Sequence, residues 1–212
     1  MDLEQLLALQ ELDTRLAQLG HRLTHDPALA NLAAAQAAVA DVERRELELF
    51  GERDVVRQEL KRLEDEASLT EEKIAKVNDT LYGGVVTAHK ELESLQHELA
   101  MLKERLGGFE DLELEQMELA EPLEARATAL AAEKTAAIAN VGDAEMGVTA
   151  MQAEVGAELD TVTSAREAQA ATLPESLLAQ YDKLRNALGG QGAARLAPGG
   201  RCEGCHLTLP RA

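Results

Sequence analysis

Two cysteines three residues apart, Cys202 and Cys205, are the side chains of this 212-residue sequence best suited to chemistry. A Cys-x-x-Cys step presents two thiolates from one turn of backbone, the spacing of half a tetrahedral zinc site, and Gly204 falls where the chain must turn tightly beneath a cation. His206 follows directly and could extend the donor set. A structural zinc site takes four protein ligands, whereas this segment supplies two thiolates and at most one imidazole. Three other readings share the pattern. Cys-x-x-Cys-His also attaches c-type haem, but that chemistry runs outside the cytoplasm, and Met1-Asp2-Leu3-Glu4 has neither the basic nor the apolar region of an export signal. A redox dithiol needs a βαβ context and a helix N-terminus to depress the thiol pKa, and the pattern shows neither. Two cysteines without a role in an unstructured tail is the plainest reading. Half a zinc ribbon is favoured, with Cys202 and Cys205 as metal ligands and zinc as the cofactor. No paired carboxylates stand out from the acidic background, no phosphate-cradling Gly-Lys-Ser/Thr step follows Gly83-Gly84, and no Ser-His-Asp arrangement can be placed. The sequence predicts a protein that is not an enzyme.

The elements that must carry this motif are written in the composition. Alanine (37) and leucine (35) dominate, while Ile, Phe and Tyr occur twice each and Trp is absent. Strong helix formers without the bulky residues that fill thick cores and strands give long helices touching along thin seams. The expectation is an all-α fold, and sheet-based folds are excluded. Thirty-nine acids against 21 bases give a net charge of −18. From Asp182 onward the balance is +3, so the first 181 residues carry −21. An acidic rod repels phosphate and anionic lipid, which confines any nucleic-acid contact to the C-terminal tail. With no stretch of about 18 uncharged apolar residues, the sequence reads as soluble and cytoplasmic, with no membrane contact.

From Ala28, steps of four and three residues lead through Leu32, Val42, Leu49 and Leu63 to Leu81, and 13 of the 16 positions are apolar. A 3.5-residue repeat held this long is the mark of a left-handed coiled coil. It breaks at Tyr82-Gly83-Gly84-Val85-Val86-Thr87, a turn, and resumes from Leu92 to Gln169 with 18 of 23 positions apolar. A chain folding back at the glycine doublet pairs residues whose numbers sum to about 167. That places Arg53 opposite Glu113 and Glu46 within a turn of Gln116; alternatively, all four point to solvent at a phase slip and Leu112 and Met117 take over the seam. The same arithmetic sets Leu9, Leu12, Leu16, Leu19 and Leu23 against Glu158 back to Ala144. The stop at His25-Asp26-Pro27 separates this first helix from the next. The predicted organisation is a helical hairpin over 1–172 with a turn about 82–88 and a break about 24–28, a short helix over 173–188, a flexible linker over 189–200 and the first half of a zinc ribbon over 201–212.

The segment Leu81-Tyr82-Gly83-Gly84-Val85-Val86-Thr87-Ala88-His89-Lys90-Glu91-Leu92, with Gln96-His97-Glu98, Tyr181, Arg185, Gly189-Gly190 and Arg201-Cys202-Glu203-Gly204-Cys205-His206-Leu207-Thr208-Leu209-Pro210, resembles the bacterial coiled-coil plus C4-type zinc-ribbon proteins. The likeness covers essentially the whole chain, and the composition looks closest to actinobacterial members. It implies a long antiparallel helical hairpin ending in a ribbon with two cysteine pairs. It also implies an adaptor, since some members are implicated in binding alternative sigma factor, flagellar or type III secretion components, or messenger RNA. Two departures stand out. The family's turn exits through Ser-Pro-Lys-Glu, but here through Ala88-His89-Lys90-Glu91, which leaves Thr87 to cap or the helix uncapped. The second cysteine pair is missing, so either the sequence is truncated in the ribbon or another chain supplies the ligands. The expected function is a non-enzymatic adaptor or scaffold for protein partners, with contacts at Tyr82, Gly83, Gly84, Lys90, His97 and Arg201. The alternative is a nucleic-acid-binding regulator acting through Arg195, Arg201 and Arg211 in the tail. Association of two hairpins into a homo-oligomer is left open.

Overall fold

The computed structural model describes residues 2–84, 86–204 and 206–208. Cys205 and Arg211, together with Val85 of the turn, lie outside them. The described elements are α1 (Asp2–His25), α2 (Pro27–Tyr82), α3 (His89–Ala170), α4 (Glu175–Ala187), and the two-residue strands β1 (Leu196–Ala197) and β2 (Arg201–Cys202). The fold is the all-α antiparallel coiled-coil hairpin with a short C-terminal helix. Packing divides it into two compact units, one of Met1–Gln36 with Ala139–Ala212 and one of Ala37–Ile138. Among the described residues no helix is long and apolar enough to cross a membrane.

The stop at His25-Asp26-Pro27 is a cap rather than a loop. Asp26 Oδ1 accepts the Ala28 N–H at 2.9 Å, and Pro27, which has no N–H to lose, occupies the first position of α2. At the far end of α2 the Gly83 N–H donates to the Asp79 carbonyl at 2.8 Å, and Gly84 takes a left-handed φ of 73°. Thr87 does not occupy the cap of α3. Ala88 does, its carbonyl accepting from the N–H groups of Glu91 and Leu92 at 3.0 Å each.

In the unit of Ala37–Ile138, α2 and α3 run antiparallel along the expected seam. Val42, Leu49 and Leu130 form one buried cluster of it, and Leu123 and Ala127 pack against them. Arg53 meets Glu124 at 2.5 Å, Arg126 meets Glu52 at 2.5 Å, and Arg45 meets Glu133. The seam positions Glu46 and Lys134 pair with each other at 2.6 Å. This corrects the expected partners of Arg53 and Glu46, which are not Glu113 and Gln116. Helix α2 ends at Tyr82 and α3 begins only at His89, and every helical side chain leans toward its own N-terminus. Both effects raise the number sum of residues in contact. The phase slip is absent as well: Leu112 and Met117 are exposed, while Glu113 keeps its seam position, its Oε1 buried without a hydrogen-bond partner among the described residues.

The other unit packs α1 on the C-terminal part of α3. Leu19, Met151 and Val155 form one buried cluster, and Arg15–Glu158 and Arg22–Glu154 bridge the helices at 2.5 and 2.9 Å. At its end α4 folds over both, and Leu6, Leu9, Leu173 and Tyr181 form a second cluster.

Candidate functional site

The most heavily built polar site lies at that second cluster, where three helices each contribute charge. Asp13 of α1 is 2% exposed and Tyr181 of α4 is 2% exposed. The Tyr181 hydroxyl donates to Asp13 Oδ2 at 2.7 Å and lies 3.3 Å from Gln10 Oε1. Asp13 Oδ1 takes Arg166 Nε of α3 at 3.2 Å and Arg185 Nη2 of α4 at 3.4 Å, and Arg166 also reaches Asp182 at 3.2 Å. Two guanidiniums against two carboxylates leave the cluster neutral, the condition under which a buried carboxylate is tolerated. Burial, and then the hydrogen bond to Asp13, push the Tyr181 hydroxyl above its ordinary range, so it stays a donor.

Gln10 extends the cluster to the chain that follows α4. Its Oε1 accepts the N–H groups of Gly192 and Ala193 at 2.6 and 3.2 Å, and its Nε2 donates to the Gly190 carbonyl at 2.9 Å. A side-chain amide thereby does for residues 190–193 what a neighbouring strand would do. Gly192 is required by proximity, since a Cβ there would fall 2.6 Å from the Tyr181 ring. The segment 189–200, expected as a flexible linker, is thus tied to α1 and carries β1.

Beyond it the chain forms a small knuckle. Ala197-Pro198-Gly199-Gly200 is a turn closed by the Gly200 N–H to the Ala197 carbonyl at 3.0 Å, with Gly199 at φ 98°. Proline followed by a left-handed glycine is the type II pattern. It sets Leu196 opposite Cys202 and Ala197 opposite Arg201. The Cys202 N–H then donates to the Leu207 carbonyl, and the His206 N–H to the Cys202 carbonyl, at 2.9 Å each. Among the described residues of this second turn His206 is left-handed, φ 63°, and Gly204 is not. Gly204 packs closely instead: a Cβ there would come 3.0 Å from Ala194 Cβ, tighter than an ordinary contact. These hydrogen bonds double the chain back on either side of Cys202, which is half-buried. Among the described residues no group of three or more His, Cys, Asp or Glu could hold a metal ion.

The remaining candidate residues are spread over the chain. Tyr82, 78% exposed, adjoins Gly83 and Gly84 at the turn, and Lys90 and His97 are exposed on the first turns of α3. Arg201 is exposed on β2 beside Cys202. Sequence reasoning missed Gln10, Asp13 and Arg166, which read as ordinary polar residues on helices. The Pro-Gly-Gly step between Leu-Ala and Arg-Cys was a legible turn signal for the knuckle.

The chain belongs to the CT398-like coiled coil hairpin domain family, which it matches over residues 9–189. An uncharacterised protein of Mycobacterium tuberculosis is 32% identical over 206 residues, covering 97% of this chain and 83% of that relative. A solved structure from Mycobacterium smegmatis superposes with a TM-score of 0.88 at 24% identity, over 99% of this chain and 86% of that one. The structure of CT398 from Chlamydia trachomatis superposes with a TM-score of 0.73 at 20% identity, over the same shares. At these identities the two structures establish the fold alone.

Proposed function

We propose that this protein is a non-enzymatic adaptor, in which the acidic coiled-coil hairpin is a spacer and the C-terminal knuckle is a docking module for protein partners. The observation that carries the reading is the use made of Gln10, Asp13, Arg166, Tyr181 and Arg185. Buried polar groups of these types could serve catalysis, yet here they bond to one another and to backbone, and the result is a C-terminal segment fastened to the helices beneath it. Such fastening suits a module that presents a surface. Cys202 and Cys205 supply two of the four ligands of a zinc ribbon, and other residues complete the set; zinc would hold the knuckle closed rather than act on a substrate. Tyr82, Gly83, Gly84, Lys90 and His97 provide a second contact surface at the turn. The test is a co-purification in which Tyr82→Ala with Lys90→Ala and Cys202→Ser with Cys205→Ser each remove a set of partners and the bound zinc is assayed alongside. Partners unaffected by both double variants would count decisively against the adaptor reading.

A second reading rests on Arg195 and Arg201, both exposed around the β1–β2 hairpin in a tail whose charge is opposite to the rest of the chain. In it the knuckle binds RNA or DNA. Phosphate contacts release counterions, so that binding must weaken steeply between about 50 and 200 mM salt, whereas apolar docking does not. A salt titration therefore separates the two.

A further inference from the structure

The last turn of α1 reads His21-Arg22-Leu23-Thr24-His25, with two histidines four residues apart and hence on one face of the helix. Their rings stack, centroids 4.0 Å apart and planes inclined by 26°, and both side chains are exposed. His25 Nδ1 lies 2.7 Å from Thr24 Oγ1 and 3.2 Å from the His21 carbonyl. A carbonyl oxygen only accepts, so the contact to His21 is a hydrogen bond in the tautomer with the proton on Nδ1, which leaves the lone pair on Nε2. Metal-ligating histidines are oriented in this way, by a backbone carbonyl or carboxylate that takes the second N–H. The neighbouring cation does not spoil the site, because Arg22 is paired with Asp26 at 3.0 Å and with Glu154 at 2.9 Å.

We infer that His21 and His25 form a two-imidazole chelate for a late first-row divalent cation. The stacked rings send their in-plane lone pairs along near-parallel lines, so the two exposed side chains rotate out of the stack to span one ion through their Nε2 atoms; imidazole suits Cu2+, Ni2+ and Zn2+, with Cu2+ held most tightly. Helical zinc proteases place a glutamate directly after the first histidine as general base; Arg22 occupies that position here, so the site binds and does not hydrolyse. No third His, Cys, Asp or Glu completes the group among the described residues. Water fills the remaining positions, and the site is open and of moderate affinity. Chelation closes the last turn of α1 just before the Asp26 cap, and a ligand that binds only the folded helix stabilises it.

The test uses the full chain carrying Cys202→Ser and Cys205→Ser, which removes the thiolates as competing ligands. Cu2+ titration followed by calorimetry and by electron paramagnetic resonance is expected to show a single ion of moderate affinity with two imidazole nitrogens. His21→Ala and His25→Ala should each weaken it by tenfold or more, with an unchanged far-UV circular dichroism spectrum, while His97→Ala leaves it unaltered. Zn2+ should raise the thermal midpoint of the parent and not of His25→Ala. Undiminished Cu2+ affinity in both the His21 and His25 variants, or an equal loss in His97→Ala, would overturn the inference.

Discussion

Asp13 is the residue on which the C-terminal packing turns. Replacing it with alanine strands two guanidiniums and a phenol in a buried cluster. Breaking such a group by removing one partner costs about 3–5 kcal/mol, against about 1–3 kcal/mol for Tyr181→Phe, which leaves one carboxylate oxygen short of a donor. Urea unfolding of the two variants checks both the size and the order. Gly192→Ala probes the next link, because its methyl group meets the Tyr181 ring. Faster amide exchange at positions 192 and 193 of the variant, with the helices unaffected, is the expected outcome. The Asp26 carboxyl is held below the usual carboxylate range, first by the Ala28 N–H and then by the Arg22 guanidinium. A folded-state pKa lowered in this way adds stability above about pH 4 and loses it as pH falls through the depressed value. Acid unfolding of Asp26→Asn should accordingly show a flatter loss of stability below about pH 4 than the parent.

At the scale of elements, the seam shows how thin the packing is. Positions from Ala28 to Leu81 and from Leu92 to Val162 lie inward as the 3.5-residue repeat requires, and the pattern fails at Ala165, where Arg166 turns in to meet Asp13. That failure has a cause: α4 adds a second packing surface at this level, so a two-helix period no longer describes the burial. Polar seam residues are tolerated unequally. Glu46 and Lys134 satisfy one another, whereas Glu113 keeps a buried oxygen without a partner. Glu113→Leu is therefore expected to stabilise by about 1–2 kcal/mol, raising the thermal midpoint by about 2–8 °C. A drop in midpoint would show that Glu113 has a partner in solution. Pro122 lies inside α3 and is exposed, so the backbone bond it removes is lost to water rather than to the core.

At the scale of the molecule, the antiparallel return of α3 along α2 brings together residues far apart in sequence. Glu52 and Arg126 are 74 residues apart in sequence yet paired at 2.5 Å. A continuous helix would hold them about 110 Å apart, while packed helices lie about 10 Å axis to axis. Spin labels at these two positions in the cysteine-free chain should report a short intramolecular distance by double electron–electron resonance. The exposed ion pairs along the helices contribute little individually, so moderate salt should change the midpoint only slightly.

The sequence by itself determined the class of fold, the helix stop at Asp26-Pro27, the turn after Tyr82 and which face of each long helix is buried. These follow from local propensity and a repeat that every turn of the chain restates. Tertiary structure alone decided the pairing of Arg53 with Glu124 and of Glu46 with Lys134, because a repeating seam fits many registers and the turn geometry selects one. It also decided the roles of Gln10, Asp13, Arg166 and Gly192. Their partners lie about 150 to 180 residues away in sequence, and no periodic signal encodes a contact that occurs once.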